Sequence, residues 1–154
     1  MVLQRKEYGM KLLLIIWQLP QFVLGYAVLL YHFSRNVISY KRFSCEDFKG
    51  VDVTVISFCS RKKNFISGFS LGKYIFLYYD NTYEDKYVLN KKIDAAIKHE
   101  YGHSVQSAYL GWLYLVVIGI VSLVMTSIGM SKKCYTEKWA DKIVAGCKIK
   151  IKEI

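Results

Sequence analysis

Two long stretches of the chain, residues 12–31 and 108–130, are apolar and carry no charge. A helix of about 20 apolar residues crosses a hydrocarbon core of ~30 Å. The first stretch therefore predicts an N-terminal transmembrane helix, kinked at Pro20. A cleaved signal peptide is the alternative, but residues 31–33 are Tyr-His-Phe and offer no small side chains for a cleavage site. We therefore expect an uncleaved anchor.

The residues between the two stretches carry strand and helix patterns. Residues 51–55 alternate with a period of two, and residues 65–79 are rich in aromatic and β-branched side chains, most densely at 74–79. Both patterns predict strands of a small β-sheet. Asn90 is a suitable N-cap for a helix that we expect over residues 91–107. The expected fold class is an α+β membrane protein.

Composition narrows the class of protein further. Hydrophobic residues make up 53% of the chain and the formal net charge is +10. Disorder requires low hydrophobicity, so a disordered chain is excluded, and 154 residues suit a single domain. The positive charge calls for an anionic partner. Because no nucleic-acid-binding signature accompanies it, we expect a membrane surface and no nucleic acid.

Lysine and arginine are frequent on both sides of the second stretch, with 12 at residues 33–107 and 7 after residue 130. The positive-inside rule places both flanks in the cytoplasm. We therefore expect an integral membrane protein with its aqueous part on the cytoplasmic side. The four cysteines form no CxxC pair, so we expect free thiols in a reducing compartment.

The expected helix contains His99-Glu100-Tyr101-Gly102-His103, an HExxH motif. Two histidines four residues apart lie one turn apart on one helix face, so both rings can bind one zinc ion. Glu100 is offset around the helix, where it can take a proton from a water molecule that zinc acidifies. The alternative is a helix with two surface histidines.

A catalytic zinc ion needs a third protein ligand, and a candidate lies downstream. Residues 137–141 are Glu-Lys-Trp-Ala-Asp, an ExxAD pattern in which Glu137 and Asp141 share one helix face. We predict Glu137 as the third ligand. Asp141 is predicted to accept an N–H bond from a ligating histidine and so to orient its ring. Ala140 is small, as tight packing of this helix against the first requires.

HExxH followed by ExxAD resembles the gluzincin metallopeptidases, and most closely their membrane branch of HtpX-like proteases and CAAX prenyl endopeptidases. The resemblance covers residues 65–142, with strong identity only at the two motifs. It implies His99, His103 and Glu137 as the ligands of one zinc ion. It also implies Glu100 as the residue that activates water.

The same resemblance implies how a peptide substrate binds. In that family the substrate runs along an edge strand above the active-site helix, and residues 65–79 are placed to form such a strand. No residue is assigned to stabilise the oxyanion of the reaction. The candidates are Tyr101, Tyr135 and His32.

The distance between the motifs restricts the path of the second apolar stretch. A straight helix rises about 1.5 Å per residue, so a single crossing would carry Glu137 roughly 30 Å or more from His103. We therefore expect a hairpin that turns near Gly119 and returns. The expected organisation is an anchor at residues 1–32 and one zincin-like catalytic domain at residues 33–154, with a membrane-embedded hairpin at about 108–130.

The function expected from the sequence is a membrane-anchored zinc metalloendopeptidase that cleaves a peptide or membrane-protein substrate near the lipid bilayer. One alternative is a non-catalytic membrane interaction protein with a structural or vestigial zinc site. Another is a basic membrane-surface binder without metal. The sequence identifies neither the cleavage preference nor the oligomeric state.

Overall fold

The computed structural model describes residues 12–32, 37–45, 51–130, 134–147 and 149–153. The first eleven residues of the predicted anchor lie outside this part of the chain. So do Phe33 and the basic residues Arg35, Lys132, Lys133 and Lys148, which belong to the flanks used for the cytoplasmic prediction.

Helices and strands alternate irregularly along the chain, and together they form a mixed α+β fold. A helical turn covers residues 12–17. The labelled elements, in order, are α1 (Leu19–His32), β1 (Val37–Cys45), β2 (Val53–Cys59), β3 (Ile66–Leu71), β4 (Tyr74–Tyr79), α2 (Lys86–Leu110), a 3₁₀ turn (Gly111–Leu113), a π-helical segment (Leu115–Ile120), α3 (Val121–Ser127), α4 (Tyr135–Val144) and β5 (Ile149–Glu153).

The five strands form one sheet in the order β3-β4-β2-β1-β5, with β3 at an edge. Strands β2 and β4 are parallel, and the other neighbouring pairs are antiparallel. The strand predicted at residues 74–79 is confirmed as β4. The predicted strand region 65–79 is a hairpin of β3 and β4, and Gly72 occupies its turn with a φ of 58°.

The sheet lies between two helices. Ile97, Tyr101 and Val105 of α2 pack against one face of the sheet. Val28 and Leu29 of α1 pack against the aromatic side chains of the opposite face. Adjacent residues of a strand point to opposite faces, so β2 and β4 supply both cores. Helix α1 is therefore a layer of the same folded unit as the sheet.

The start of α2 differs from the prediction. Asp85, and not Asn90, caps the helix, and its carboxylate accepts hydrogen bonds from the N–H groups of Tyr87 and Val88 at 2.9 and 3.0 Å. An aspartate at this position satisfies backbone donors that have no partner inside the helix. The helix therefore starts one and a half turns earlier than expected and ends at Leu110.

Among the described residues, no single helix is long and apolar enough to cross a membrane. Residues Lys86–Leu113 and Leu115–Ser127 meet the criterion only as a pair, and they are bent by 118° where they meet. The helix of the first apolar stretch is interrupted at Gln18, two residues before Pro20. The transmembrane anchor stays a prediction.

The turn that redirects the second apolar stretch is at Gly111, so the prediction of a turn at Gly119 is wrong. Gly111 has a φ of 55°, a conformation that suits glycine, and a Cβ there would collide with the indole ring of Trp17. Gly119 lies inside the π-helical segment, where a Cβ would come no closer than 3.8 Å to a neighbouring side chain. The turn is thus fixed by packing against the N-terminal segment.

The cysteines are not all free. Cys59 and Cys134 are free thiols, whereas Cys147 is disulfide-bonded, so the expectation of free thiols is wrong at this position. Disulfides persist in oxidising compartments. The bond at Cys147 therefore does not fit the reducing compartment expected from the cysteines.

Helices α2 and α4 are in close contact at Gly102 and Ala140. Ala140 is fully buried, and a Cβ on Gly102 would lie 2.5 Å from the carbonyl oxygen of Ala140. The small side chain expected at Ala140 is therefore used for tight helix packing, and glycine opposite it completes the contact.

We predict that Gly102→Ala lowers the melting temperature, because the added methyl group forces α2 and α4 apart. Overpacking costs about 1–3 kcal/mol, and each kcal/mol lowers the melting temperature of a domain of this size by about 2–4 °C. Gly119→Ala is the matched control, since a Cβ there has room. Thermal unfolding followed by circular dichroism compares the two variants, and equal melting temperatures would contradict the packing argument.

Candidate metal centre

Three side chains from α2 and α4 converge on one point. The Nε2 atoms of His99 and His103 lie 2.9 and 3.4 Å from Oε2 of Glu137. The potential ligand atoms of the three residues all lie within 4.8 Å of one another, so the group could hold a metal ion. Tetrahedral coordination at 2.0–2.1 Å separates neighbouring ligands by about 3.3 Å. The spacing therefore fits a small divalent cation.

The opposite nitrogen of each ring is held by a further side chain. Nδ1 of His99 lies 2.7 Å from Oδ1 of Asp141, and Nδ1 of His103 lies 2.8 Å from Oε1 of Gln106. An acceptor at Nδ1 places the proton there and leaves the Nε2 lone pair for a metal. Asp141 thus has the contact predicted for it.

Gln106 was not predicted from the sequence. Its amide also donates to the backbone carbonyl of Thr136 at 3.0 Å, so it ties the His103 ring to the start of α4. Its position three residues after His103 on the same helix is the signal that sequence reasoning missed.

The second oxygen of Glu137 also has partners. Ser122 of α3 donates its hydroxyl to Oε1 of Glu137, and Thr136 contacts the same oxygen at 3.4 Å. With Oε1 held in this way, Oε2 points towards the two histidines. The side chain of Glu137 is 14% exposed, which leaves the carboxylate few other partners.

The charges in the group stabilise one another. The hydrogen bond with Glu137 raises the pKa of His99 to about 9, against the opposing effect of burial. Hydrogen bonds with His103 and His99 hold the pKa of Glu137 below its ordinary value. Without a cation the group is therefore stabilised as a carboxylate beside a protonated imidazole.

Glu100 lies beside this group, under the edge strand. It is only 8% exposed, and burial raises the pKa of its carboxyl group. A Cβ on Gly68 of β3 would lie 3.2 Å from Cγ of Glu100. The absence of a side chain at Gly68 is what lets β3 pass directly over Glu100.

The three oxyanion candidates are engaged elsewhere. The hydroxyl of Tyr101 donates to the carbonyl of Val51 at 3.0 Å, and that of Tyr135 donates to the carbonyl of Val117 at 2.9 Å. The Nε2 atom of His32 lies 3.0 Å from the hydroxyl of Tyr78 on the α1 side of the sheet. The polar atoms of all three side chains therefore bond to groups outside the metal centre.

Tyr114, which was not predicted, is close to the site. It is 5% exposed, and its hydroxyl lies beside Ser70, within electrostatic reach of Glu100 and Glu137. The Oγ atom of Ser70 is buried and has no hydrogen-bond partner of good geometry among the described residues. In the sequence, Tyr114 resembles an aromatic residue of a membrane interface, so no local signal separates it from Tyr109 or Trp112.

Comparison with known proteins identifies no relative: no protein-family model, no curated protein and no solved structure matches this chain. The site is therefore interpreted from its own geometry and chemistry.

We predict that zinc binding displaces one proton from His99. Because the metal-free pKa of His99 is about 9, the imidazole is protonated at neutral pH and must lose its proton to become a ligand. The apparent affinity should therefore rise about tenfold per pH unit as the pH approaches 9 from below. Competition with a chromophoric chelator measures this slope.

The third histidine provides the control for this measurement. His99→Ala and His103→Ala should each lose the metal, and His32→Gln should keep it, because His32 lies outside the group. A zinc affinity that is independent of pH below 9 would show that His99 is not the residue that gives up a proton.

Proposed function

We propose that the chain is a membrane-associated zinc metalloendopeptidase. The observation that carries the proposal is the convergence of two imidazole Nε2 atoms and one carboxylate oxygen beside the buried carboxyl group of Glu100. Two histidines and one glutamate leave a fourth coordination position open, which is the arrangement of catalytic rather than structural zinc sites.

The mechanism assigns proton transfer to Glu100. When bound, zinc acts as a Lewis acid that acidifies water and polarises a peptide carbonyl group. Glu100 accepts the proton of the attacking water at its carboxylate and delivers it to the nitrogen of the leaving amine. Burial supports this role, because a carboxyl group with a raised pKa holds the proton between the two steps.

The substrate is proposed to bind along β3. This strand is at the edge of the sheet, and among the described residues β4 is its only strand neighbour. An extended peptide can pair with the free edge through backbone hydrogen bonds, which recognise main chain more than sequence. Since Gly68 of β3 lies over Glu100, a paired peptide would have its backbone close to the metal centre.

The partner surface is proposed to be a lipid bilayer. Large apolar side chains are exposed on residues 12–17, on α1 and on residues 112–130. An exposed apolar surface of this extent marks an interface in a soluble protein or contact with a membrane. Substrates would then be peptides or membrane proteins held near the same bilayer.

One observation favours a different function. Glu100 is 92% buried and lies directly beneath the backbone of β3. A site covered in this way suits a structural zinc ion that fastens α4 to α2 in a non-catalytic membrane interaction protein. That alternative needs the three ligands and makes no use of Glu100 as a base.

We predict that Glu100→Gln abolishes peptide cleavage and leaves zinc binding intact. The amide keeps the shape of the side chain but cannot accept the proton, so hydrolysis of fluorescently labelled casein should fall at least ~10²-fold. Glu84→Gln, at an exposed position before α2, is the control. Equal cleavage by Glu100→Gln and the wild type would refute the mechanism, and a wild type that binds zinc but cleaves nothing would favour the structural alternative.

We also predict that the hydroxyl of Tyr114 donates a hydrogen bond to the oxyanion that forms at the cleaved peptide. Tyr114→Phe should then lower kcat about 10²–10³-fold with little change in KM, as the loss of an oxyanion donor does. Zinc affinity should not change. Tyr109→Phe, at an exposed tyrosine, is the control, and an unchanged kcat in Tyr114→Phe would remove the residue from the mechanism.

A further inference from the structure

The residues that follow the turn at Gly111 form a helix that is loosely attached to the body of the protein. We call residues 115–127, the π-helical segment and α3 together, the hairpin helix. Val116, Ile120, Leu123 and Val124 are 51–68% exposed on it. Ile118 is its only buried residue. Few apolar contacts therefore hold the hairpin helix in place.

Two hydrogen bonds connect the described part of the hairpin helix to α4. The hydroxyl of Tyr135 donates to the backbone carbonyl of Val117 at 2.9 Å. The hydroxyl of Ser122 donates to Oε1 of Glu137. The second bond ends on a proposed metal ligand, so the position of the hairpin helix and the position of the ligand are not independent.

The Ser122 contact fixes how the carboxylate of Glu137 is turned. With Oε1 held by Ser122, Oε2 is directed at the Nε2 atoms of His99 and His103. A displaced hairpin helix would leave Oε1 with only the longer contact of Thr136 at 3.4 Å, and the carboxylate could rotate away from the histidines. We propose that Ser122 is the positioning residue for Glu137, and that it couples metal binding to docking of the hairpin helix on a lipid bilayer.

A bilayer is the occupant that the surroundings of the hairpin helix favour. Tyr109, Trp112 and Tyr135 are 55–64% exposed and lie near the point where the helix leaves the body. Tyrosine and tryptophan are the residues enriched at the level of lipid headgroups. Lys138 and Lys142 are exposed on α4, the helix that begins at Tyr135, and lysines close to a membrane surface attract anionic lipid.

The coupling acts in both directions, because two binding events that share one element affect each other equally. A bilayer that holds the hairpin helix against α4 should raise the affinity for metal. A bound metal should stabilise the docked position of the hairpin helix to the same extent. The inference rests on the proposed metal site but not on catalysis, so metal affinity and helix environment can test it without any cleavage assay.

The first experiment measures zinc affinity in lipid nanodiscs that contain phosphatidylcholine and phosphatidylglycerol, by competition with a chromophoric chelator. Loss of a group that orients a metal ligand costs about 10–100-fold in affinity, so Ser122→Ala should bind zinc at least ~10-fold more weakly. Ser122→Thr keeps the hydroxyl and should bind zinc about as tightly as the wild type. Ser127→Ala is the control, since Ser127 bonds only to the carbonyl of Leu123 in its own helix.

The second experiment follows the hairpin helix itself. An environment-sensitive fluorophore is attached at Leu123→Cys, in a chain whose exposed free thiol is removed by Cys59→Ser. On phosphatidylcholine–phosphatidylglycerol vesicles, zinc should shift the emission to shorter wavelength, and Ser122→Ala should remove the shift. The same fluorophore at Tyr87→Cys, at the exposed start of α2, should not respond.

The outcomes separate this inference from the proposed function. If the wild type binds zinc and Ser122→Ala binds it equally well, or if the fluorophore ignores zinc, the coupling is overturned and the metal site stands. A shift that follows protein concentration rather than lipid would identify a second copy of the chain as the occupant and overturn the bilayer assignment. A wild type that takes up no zinc overturns both the metal site and the coupling.

Discussion

The contact between Gly102 and Ala140 is the constraint on which the metal centre depends. It lets α2 and α4 approach so closely that a Cβ on Gly102 would lie 2.5 Å from a backbone oxygen. At that separation a glutamate on one helix reaches histidines on the other. Asp141, Gln106 and Ser122 orient the ligand side chains. None of these contacts can shorten the distance between the two helix axes.

A second set of contacts holds the turn that makes this approach possible. Gln18 accepts a hydrogen bond from Ser107 at 2.9 Å, and Gln21 donates to the carbonyl of Gly111. Both glutamines are buried. The N-terminal segment therefore stabilises the exit of α2 through polar contacts, and Trp17 packs over the same glycine. The segment that the sequence predicts as an anchor therefore also shapes the end of α2, the helix that carries both histidines.

Sequence reasoning located the parts of the site that depend on helix periodicity. Histidines four residues apart must share a face, and the need for a third ligand predicted the return of Glu137. It could not locate the turn, because the reason for a turn at Gly111 is Trp17, far away in the sequence. The contact of Ser122 with Glu137 was not predicted for the same reason: it joins residues of two different helices. Strands β1 and β5 were also not predicted. Lys41 and Arg42 interrupt the apolar pattern of β1. The alternating Ile and Lys residues of β5 have the period of a strand, but this segment is also a basic tail.

The order in which the chain is synthesised has a consequence for a centre assembled from α2 and α4. Glu137 follows His103 by 34 residues, and ribosomes add about 5–20 residues per second. The histidines and Glu100 are thus made roughly 2–7 s before the third ligand, a delay that follows from the same rate. During that interval the growing chain has only two of its three metal ligands. A newly made molecule therefore passes through a stage at which the candidate metal centre is still incomplete.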